Sequence, residues 1–163
     1  MKIGLISDTH GYLDPVALEY LKECEEVWHI GDFGPNVADE LKMNVNRLRG
    51  VYGNIDDLSI REEFPEYLLF EIDGITFCLI HIGGYPARYT RVSKKLLKEN
   101  KVDVHITGHS HICKVMRDEK NNLIHINPGA AGKQGFHSIR TICTFELLGG
   151  EVQTVKIIEL GPR

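Results

Sequence analysis

The stretch Lys2–His10, KIGLISDTH, decides how the chain is read. A short apolar run, Lys2–Ser7, breaks at once into Asp8. A run this short with polar residues behind it reads as a buried strand, which puts Asp8-Thr9-His10 at its carboxyl end. Further strand-like runs end the same way. Glu26–Ile30 stops at Gly31-Asp32, Arg47–Tyr52 at Gly53-Asn54, Ile75–Ile80 at His81, and Val102–Thr107 at Gly108-His109-Ser110-His111. In α/β folds, ligand sites collect at the carboxyl ends of strands. The five loops are therefore expected to meet in one cleft.

Between these runs the chain offers helices. Asp14-Pro15 is a helix start, with Asp14 as N-cap and Pro15 at the first helical position. Asn36–Met43 is a second, short helix. Val92–Lys101 is a basic amphipathic helix whose lysines read as its solvated face. Residues 55–66 are polar and read as loop. Tyr67–Asp73 and Ile75–Ile80 around Gly74 predict a hairpin. Ile112–Arg117 with Leu123–Ile126, and Thr141–Leu148 with Glu151–Ile158, predict two more. The order is β-α-β first and hairpins later. It predicts a mixed α/β domain of two packed sheets with helices outside, a single domain over residues 1–163.

Composition sets limits. The chain has 163 residues, is 42% apolar and 26% charged, and carries a formal charge of −4. These values suit a soluble globular protein and argue against a broad nucleic-acid-binding surface. No apolar run is long enough to span a bilayer, and the N-terminus makes a poor signal peptide. A cytoplasmic location is the expectation. Cys24, Cys78, Cys113 and Cys143 form no close pair in sequence, and Cys78 and Cys143 are expected as buried free thiols.

The polar residues at the strand ends carry the chemistry. Asp8 and His10 lie two apart, as do His109 and His111. In extended chain each pair points one way, to serve one metal or two adjacent ones. The glycines before Asp32, Asn54 and His109 are expected to supply unusual backbone angles at the exit from each strand. Imidazole with carboxylate suits Mn, Fe, Zn, Ni or Co rather than Ca or Mg. Two metals about 3.5–4 Å apart are the usual arrangement for phosphate-ester hydrolysis, with Asp32 the candidate bridge. Two dications outweigh two carboxylates and a hydroxide, leaving positive charge for a phosphate. Two divalent ions are expected, Mn2+ first, with Ni2+, Fe2+, Co2+ or Zn2+ as alternatives.

These residues resemble the calcineurin-like metallophosphoesterase family, whose pattern runs D-x-H, GD, GN, H and GH-x-H. Here it stands as Asp8-Thr9-His10, Gly31-Asp32, Gly53-Asn54, His81 and Gly108-His109-Ser110-His111, and Asn127-Pro128-Gly129 adds a further family element. Length and order of elements resemble the small bacterial and archaeal phosphodiesterase branch. The resemblance implies a four-layer αββα sandwich of two mixed β-sheets flanked by helices. It implies one metal on Asp8, His10, Asp32 and His111 and another on Asp32, Asn54, His81 and His109. A metal-bridging hydroxide would attack phosphorus in line, and Asn54 would also donate a hydrogen bond to a phosphate oxygen.

Two departures shape the expected activity. Many family members carry a histidine after the asparagine, where this chain has Ile55, which cannot move a proton. Small phosphodiesters with good leaving groups are thus the expected substrates, with weak action on monoesters. The serine that usually follows Asn-Pro-Gly is Ala130. Asp56 is assigned a supporting or turn-fixing role. In the loop Gly129–Ile139, His137 is a candidate substrate contact or replacement acid, and Lys133 and Arg140 are further candidates. His29, His105 and His125 read as structural, and Tyr12, Tyr85 and Tyr89 as pocket or packing residues. The alternative function is a non-catalytic scaffold on the same fold, as in the retromer scaffold subunit, which departs from the ligand pattern that this chain keeps. A nuclease role is disfavoured, because no aromatic-basic groove is legible. A homodimer is compatible with a domain this small.

Overall fold

The computed structural model describes Met1–Arg163. Ten strands form two five-stranded sheets. The first has the order β10-β9-β1-β2-β3, built from β1 (Lys2–Ile6), β2 (Glu26–His29), β3 (Leu48–Gly50), β9 (Ile139–Leu148) and β10 (Glu151–Pro162). In it β1, β2 and β3 run parallel, and the β9–β10 hairpin adds antiparallel to β1. The second has the order β4-β5-β6-β8-β7, from β4 (Tyr67–Ile72), β5 (Ile75–Ile80), β6 (Val104–Thr107), β7 (Lys114–Asp118) and β8 (Leu123–Asn127). Its centre, β5-β6-β8, is parallel, and its two edges are antiparallel.

Strand periodicity builds the layers. Alternate residues point to opposite faces. Ile3 and Leu5 of β1, Trp28 of β2, Phe77 and Leu79 of β5, Val104 and Ile106 of β6, and Phe145 of β9 join one buried cluster between the sheets. Trp28 is its hub, with its ring edge-on to Phe77 at 4.9 Å and to Phe70 at 5.0 Å. The intervening residues face outward. Ile6, Val27 and Ile142 pack with Ala17 and Leu21 of α1 (Pro15–Lys22) and with Val37, Ala38 and Leu41 of α2 (Val37–Asn44). Cys78 and Ile80 pack with Leu96 of α4 (Arg91–Glu99). The result is the αββα layering of two mixed sheets.

The Asp14 cap forms as read, its carboxylate accepting the N–H groups of Val16 and Ala17. One helix departs from the reading. Residues 55–66 are not all loop: α3 (Leu58–Glu63) forms within them, capped by Asp57, whose side chain accepts the Ile60 N–H. No residue of α3 is buried, so the apolar stripe that betrays a helix is missing. The four cysteines are free, three of them buried.

His105 and His125 lie on the outward face of the second sheet, both essentially inaccessible. Ser93 of α4 meets His105 Nε2 at 3.2 Å, and Tyr89 stands edge-on to the His105 ring while donating its hydroxyl to Asp118. Neither Nδ1 has a hydrogen-bond partner. Burial, then the His125 charge, pushes His105 down to about 3; burial, then Lys114, pushes His125 down to about 4, with Asp118 opposing both. Both rings are thus neutral when folded and take up protons when unfolded. Their contribution is complete above the unfolded value of about 6.5 and is lost as pH falls towards about 4 and then about 3. The unfolding free energy should fall between pH 6.5 and 4 by up to about 1.4 kcal/mol per pH unit for each histidine. Urea denaturation across that range tests it; a flat profile would refute the assignment.

Candidate metal centre

Residues from five strand ends converge at one edge shared by the two sheets. Asp8, His10 and His111 form one group of donors, and Asp32, His81 and His109 form another, with the donor atoms of each group within 4.8 Å of one another. The two histidine pairs behave differently. Asp8 and His10 stay in one group, whereas His109 and His111 divide between the two. Asp32 joins the groups, since its Oδ2 lies 3.7 Å from His10 Nε2 and 3.3 Å from His81 Nε2. Asn54 Oδ1 lies 3.2 Å from His81 Nε2.

The backbone places these side chains at a cost. Asp8, His10, Asp32, His109 and His111 all have positive φ, between 48° and 65°. Left-handed backbone is disfavoured for residues with a Cβ, and such strain clusters at functional sites. The glycines do something other than expected. Gly31 does take a positive φ, 89°, but Gly53 and Gly108 do not. They are required for space. A Cβ on Gly53 would stand 2.1 Å from Asp32 Oδ1, and one on Gly108 would stand 2.4 Å from Ser7 Oγ. The twisted loops are laced together by backbone bonds: Asp8 N–H to Gly31, His10 N–H to Asp32, and Gly132 N–H to Asp8, each 3.0 Å.

Hydrogen bonds behind the donors fix which nitrogen faces inward. His81 Nδ1 lies 2.7 Å from the Ile30 carbonyl. A carbonyl only accepts, so Nδ1 carries a proton and Nε2 is the nitrogen that faces the cluster, able to offer a lone pair to a cation. His137 does the same for His111 at one remove. Its Nε2 donates to the Gly132 carbonyl at 3.0 Å, leaving Nδ1 to accept from His111 Nδ1–H at 3.2 Å. His111 Nε2 is then a lone pair, 3.1 Å from Asp8 Oδ1 and 3.4 Å from His10 Nε2. His137 thus orients His111.

The donor set fits a cation. Asp8 Oδ2 accepts from Ser7 Oγ and from the His109 N–H, but Asp8 Oδ1 is buried with no hydrogen-bond partner. It faces the lone pair of His111, and two acceptors in contact need a positive charge between them. Burial raises the Asp32 carboxyl, but a proton held towards it by His81, the Ile55 N–H and the charge of His10 outweigh burial and hold it below its ordinary range; a bound cation would take the place of that proton on His81 Nε2.

The remaining expected residues make contacts within the fold. Asp56 is buried and gives both oxygens to backbone, accepting Gly34 N–H at 3.1 Å and Gly53 N–H at 2.7 Å, which ties two of the loops. Arg140 is buried in an ion pair with Asp14 and donates to the Leu160 and Pro162 carbonyls. Lys133 stacks on Tyr12, 4.1 Å from the ring centre. His29 is structural but serves the site. It accepts the Gly31 N–H at Nδ1 and donates from Nε2 to Thr9, whose hydroxyl donates to the Phe33 carbonyl. Burial holds it well below the usual imidazole range, so it stays neutral. Sequence reading passed over Ser7, Thr9 and Arg61. Arg61 donates to the Gly53, Asn54 and Asp56 carbonyls and holds the Asn54 turn. For Ser7 and Thr9 the available signal was adjacency to Asp8.

Residues 1–150 match the model of the calcineurin-like phosphoesterase superfamily domain. The chain belongs to this family. A relative from Methanothermobacter thermautotrophicus described as a probable metallophosphoesterase is 32% identical over 136 residues, covering 80% of this chain and 77% of the relative. A phosphodiesterase from Methanocaldococcus jannaschii is 29% identical over 145 residues, covering 79% of this chain and 83% of that protein. Among solved structures, Vps29 from Entamoeba histolytica in complex with zinc has a TM-score of 0.74 at 20% identity, over 98% of each chain. Calcineurin-like phosphoesterases bind divalent metals, and the two donor groups here are candidates for that role.

If His137 orients His111, His137→Ala should weaken Mn2+ binding by about 10- to 100-fold, the usual loss when a partner behind a metal-bound imidazole is removed. Isothermal titration of metal-free protein measures it. Unchanged affinity would reduce His137 to a loop residue.

Proposed function

We propose that the chain hydrolyses small phosphodiesters with two divalent metal ions, one held by Asp8, His10, Asp32 and His111 and the other by Asp32, Asn54, His81 and His109. The observation that carries this reading is that Asp32, a donor of the second group, lies near an imidazole of each group, 3.7 Å from His10 Nε2 and 3.3 Å from His81 Nε2. Mn2+ is the proposed metal. When bound, two such cations acidify water and neutralise charge developing on the phosphate.

The residues of the chain do the rest. Ser7 and the His109 N–H hold Asp8 with its Oδ1 turned to the cluster. The Ile55 N–H holds Asp32 Oδ1 at 3.0 Å, leaving Oδ2 for the imidazoles. With Asn54 Oδ1 turned to His81, its amide N–H groups are free to donate to a phosphate oxygen. An oxygen from water forms the new bond to phosphorus and the ester P–O bond breaks. The departing oxygen must then gain a proton. Ile55, half exposed beside Asp32, has none to give, so the proton comes from solvent and stabilised leaving groups are favoured.

Metal-reconstituted protein should hydrolyse bis(p-nitrophenyl) phosphate faster than p-nitrophenyl phosphate, and Asp32→Asn and His81→Ala should each lower the rate by about two orders of magnitude or more. Inactivity on both esters with Mn2+, Ni2+, Co2+, Fe2+ and Zn2+ would leave the scaffold alternative standing. Separately, Ile55→His should raise monoester turnover relative to diester turnover by restoring a proton donor, an effect of about 100-fold at most. A monoester preference in the unaltered protein would contradict the reasoning from Ile55.

A further inference from the structure

A cavity of about 460 Å³ opens beside the cluster, with Asn54 and His81 in its wall. Its size is in the range of pockets that take drug-sized organic molecules and exceeds what a phosphate group alone needs. Part of its wall is apolar, which an anion site alone does not need. Ile82 and Val92 line it, 43% and 40% exposed, as apolar surface held open to solvent. Tyr52 lines it too, with the Arg61 guanidinium 4.7 Å from its ring centre. Three backbone carbonyls fasten Arg61 and so hold its guanidinium against Tyr52. At the rim, Arg91 is exposed and pairs with no carboxylate. Glu66 is the one acid in the lining, so arginine is in excess.

We propose that this cavity binds the retained ester group of the phosphodiester, and that the group is aromatic, a nucleoside or an aryl ring. The inference rests on the phosphodiesterase reading and adds the substrate class to it. An aromatic ring gains from flat stacking and from apolar contact, which Tyr52, Ile82 and Val92 supply. The net positive rim draws in an anionic ester and gives no advantage to an uncharged one. The group held in the cavity is assigned as the retained ester because Tyr52, Ile82 and Val92 hold it by contact, while the leaving oxygen takes its proton from solvent.

The test compares bis(p-nitrophenyl) phosphate with methyl p-nitrophenyl phosphate, which share a leaving group and differ in the retained ester. Val92→Trp, which fills the cavity from α4, should lower the ratio of kcat/KM for aryl over methyl diester by about tenfold. Ile82→Trp, from a different element, should do the same if the first variant folds poorly. An unchanged ratio in both variants would overturn the proposal. A second readout does not depend on turnover. Thymidine 5′-monophosphate added to Zn2+-loaded protein should shift the Val92 and Ile82 methyl resonances in an NMR titration, and Val92→Trp should abolish the shift at Ile82. Shifts without hydrolysis of any diester would keep the cavity assignment and remove the enzymatic reading; the absence of shifts would remove the cavity assignment even if diesters are hydrolysed.

Discussion

Two carboxylates buried together dominate the physics of this molecule. Asp8 and Asp32 are almost fully inaccessible, and both lie within a few ångströms of His81 Nε2. Buried charge is tolerated only when it is paired and hydrogen-bonded. The pairing here is built at close range. Ser7 and the His109 N–H satisfy one side of Asp8, the Ile55 N–H one side of Asp32, and the imidazoles face what remains. The sheets make this possible, because the parallel runs β1-β2-β3 and β5-β6-β8 deliver their carboxyl ends to one edge.

A layer behind the donors turns a convergence of side chains into defined lone pairs. Ile30 fixes His81, His137 fixes His111, and the chain from Gly31 through His29 and Thr9 to Phe33 fixes the loop that carries His10 and Asp32. His29 also stacks on Phe33 with ring centres 3.6 Å apart, which joins this polar chain to the apolar layer under α2. The donor cluster and the core are therefore not separable. Phe33 follows Asp32 directly in the chain, so a core substitution there would act on the Asp32 loop itself.

Much of this was legible in the sequence. The strands β1, β2, β5 and β6 are apolar runs, and each halts at a residue that enters the cluster, so the runs revealed both the sheets and the site. What stayed hidden has physical reasons. The helix α3 has no fully buried residue, only Ile60 packing partly against the core, and it leaves no periodic trace beyond the Asp57 cap. Residues 112 and 113 read as strand by composition, but the chain is still leaving the His111 loop there, and β7 begins at Lys114. Gly53 and Gly108 were read as conformational glycines, yet their need is spatial, and proximity to Asp32 or Ser7 cannot be inferred from a neighbour in sequence. The contact between His137 and His111 spans 26 residues and depends on a loop without regular structure.

The left-handed donors restrict what these positions will accept. Asp8, His10, Asp32, His109 and His111 must satisfy a stereochemical filter as well as a chemical one. Asparagine enters left-handed backbone readily, so an aspartate-to-asparagine exchange isolates the charge. Branched side chains such as valine or isoleucine resist that backbone strongly. Placed at any of the five positions, they would unlace the loops whether or not a cation was bound. A survey that scored only activity would count both kinds of substitution alike, while thermal stability would separate them. The tolerated alphabet at each position is the overlap of two lists, one written by ligand chemistry and the other by chirality.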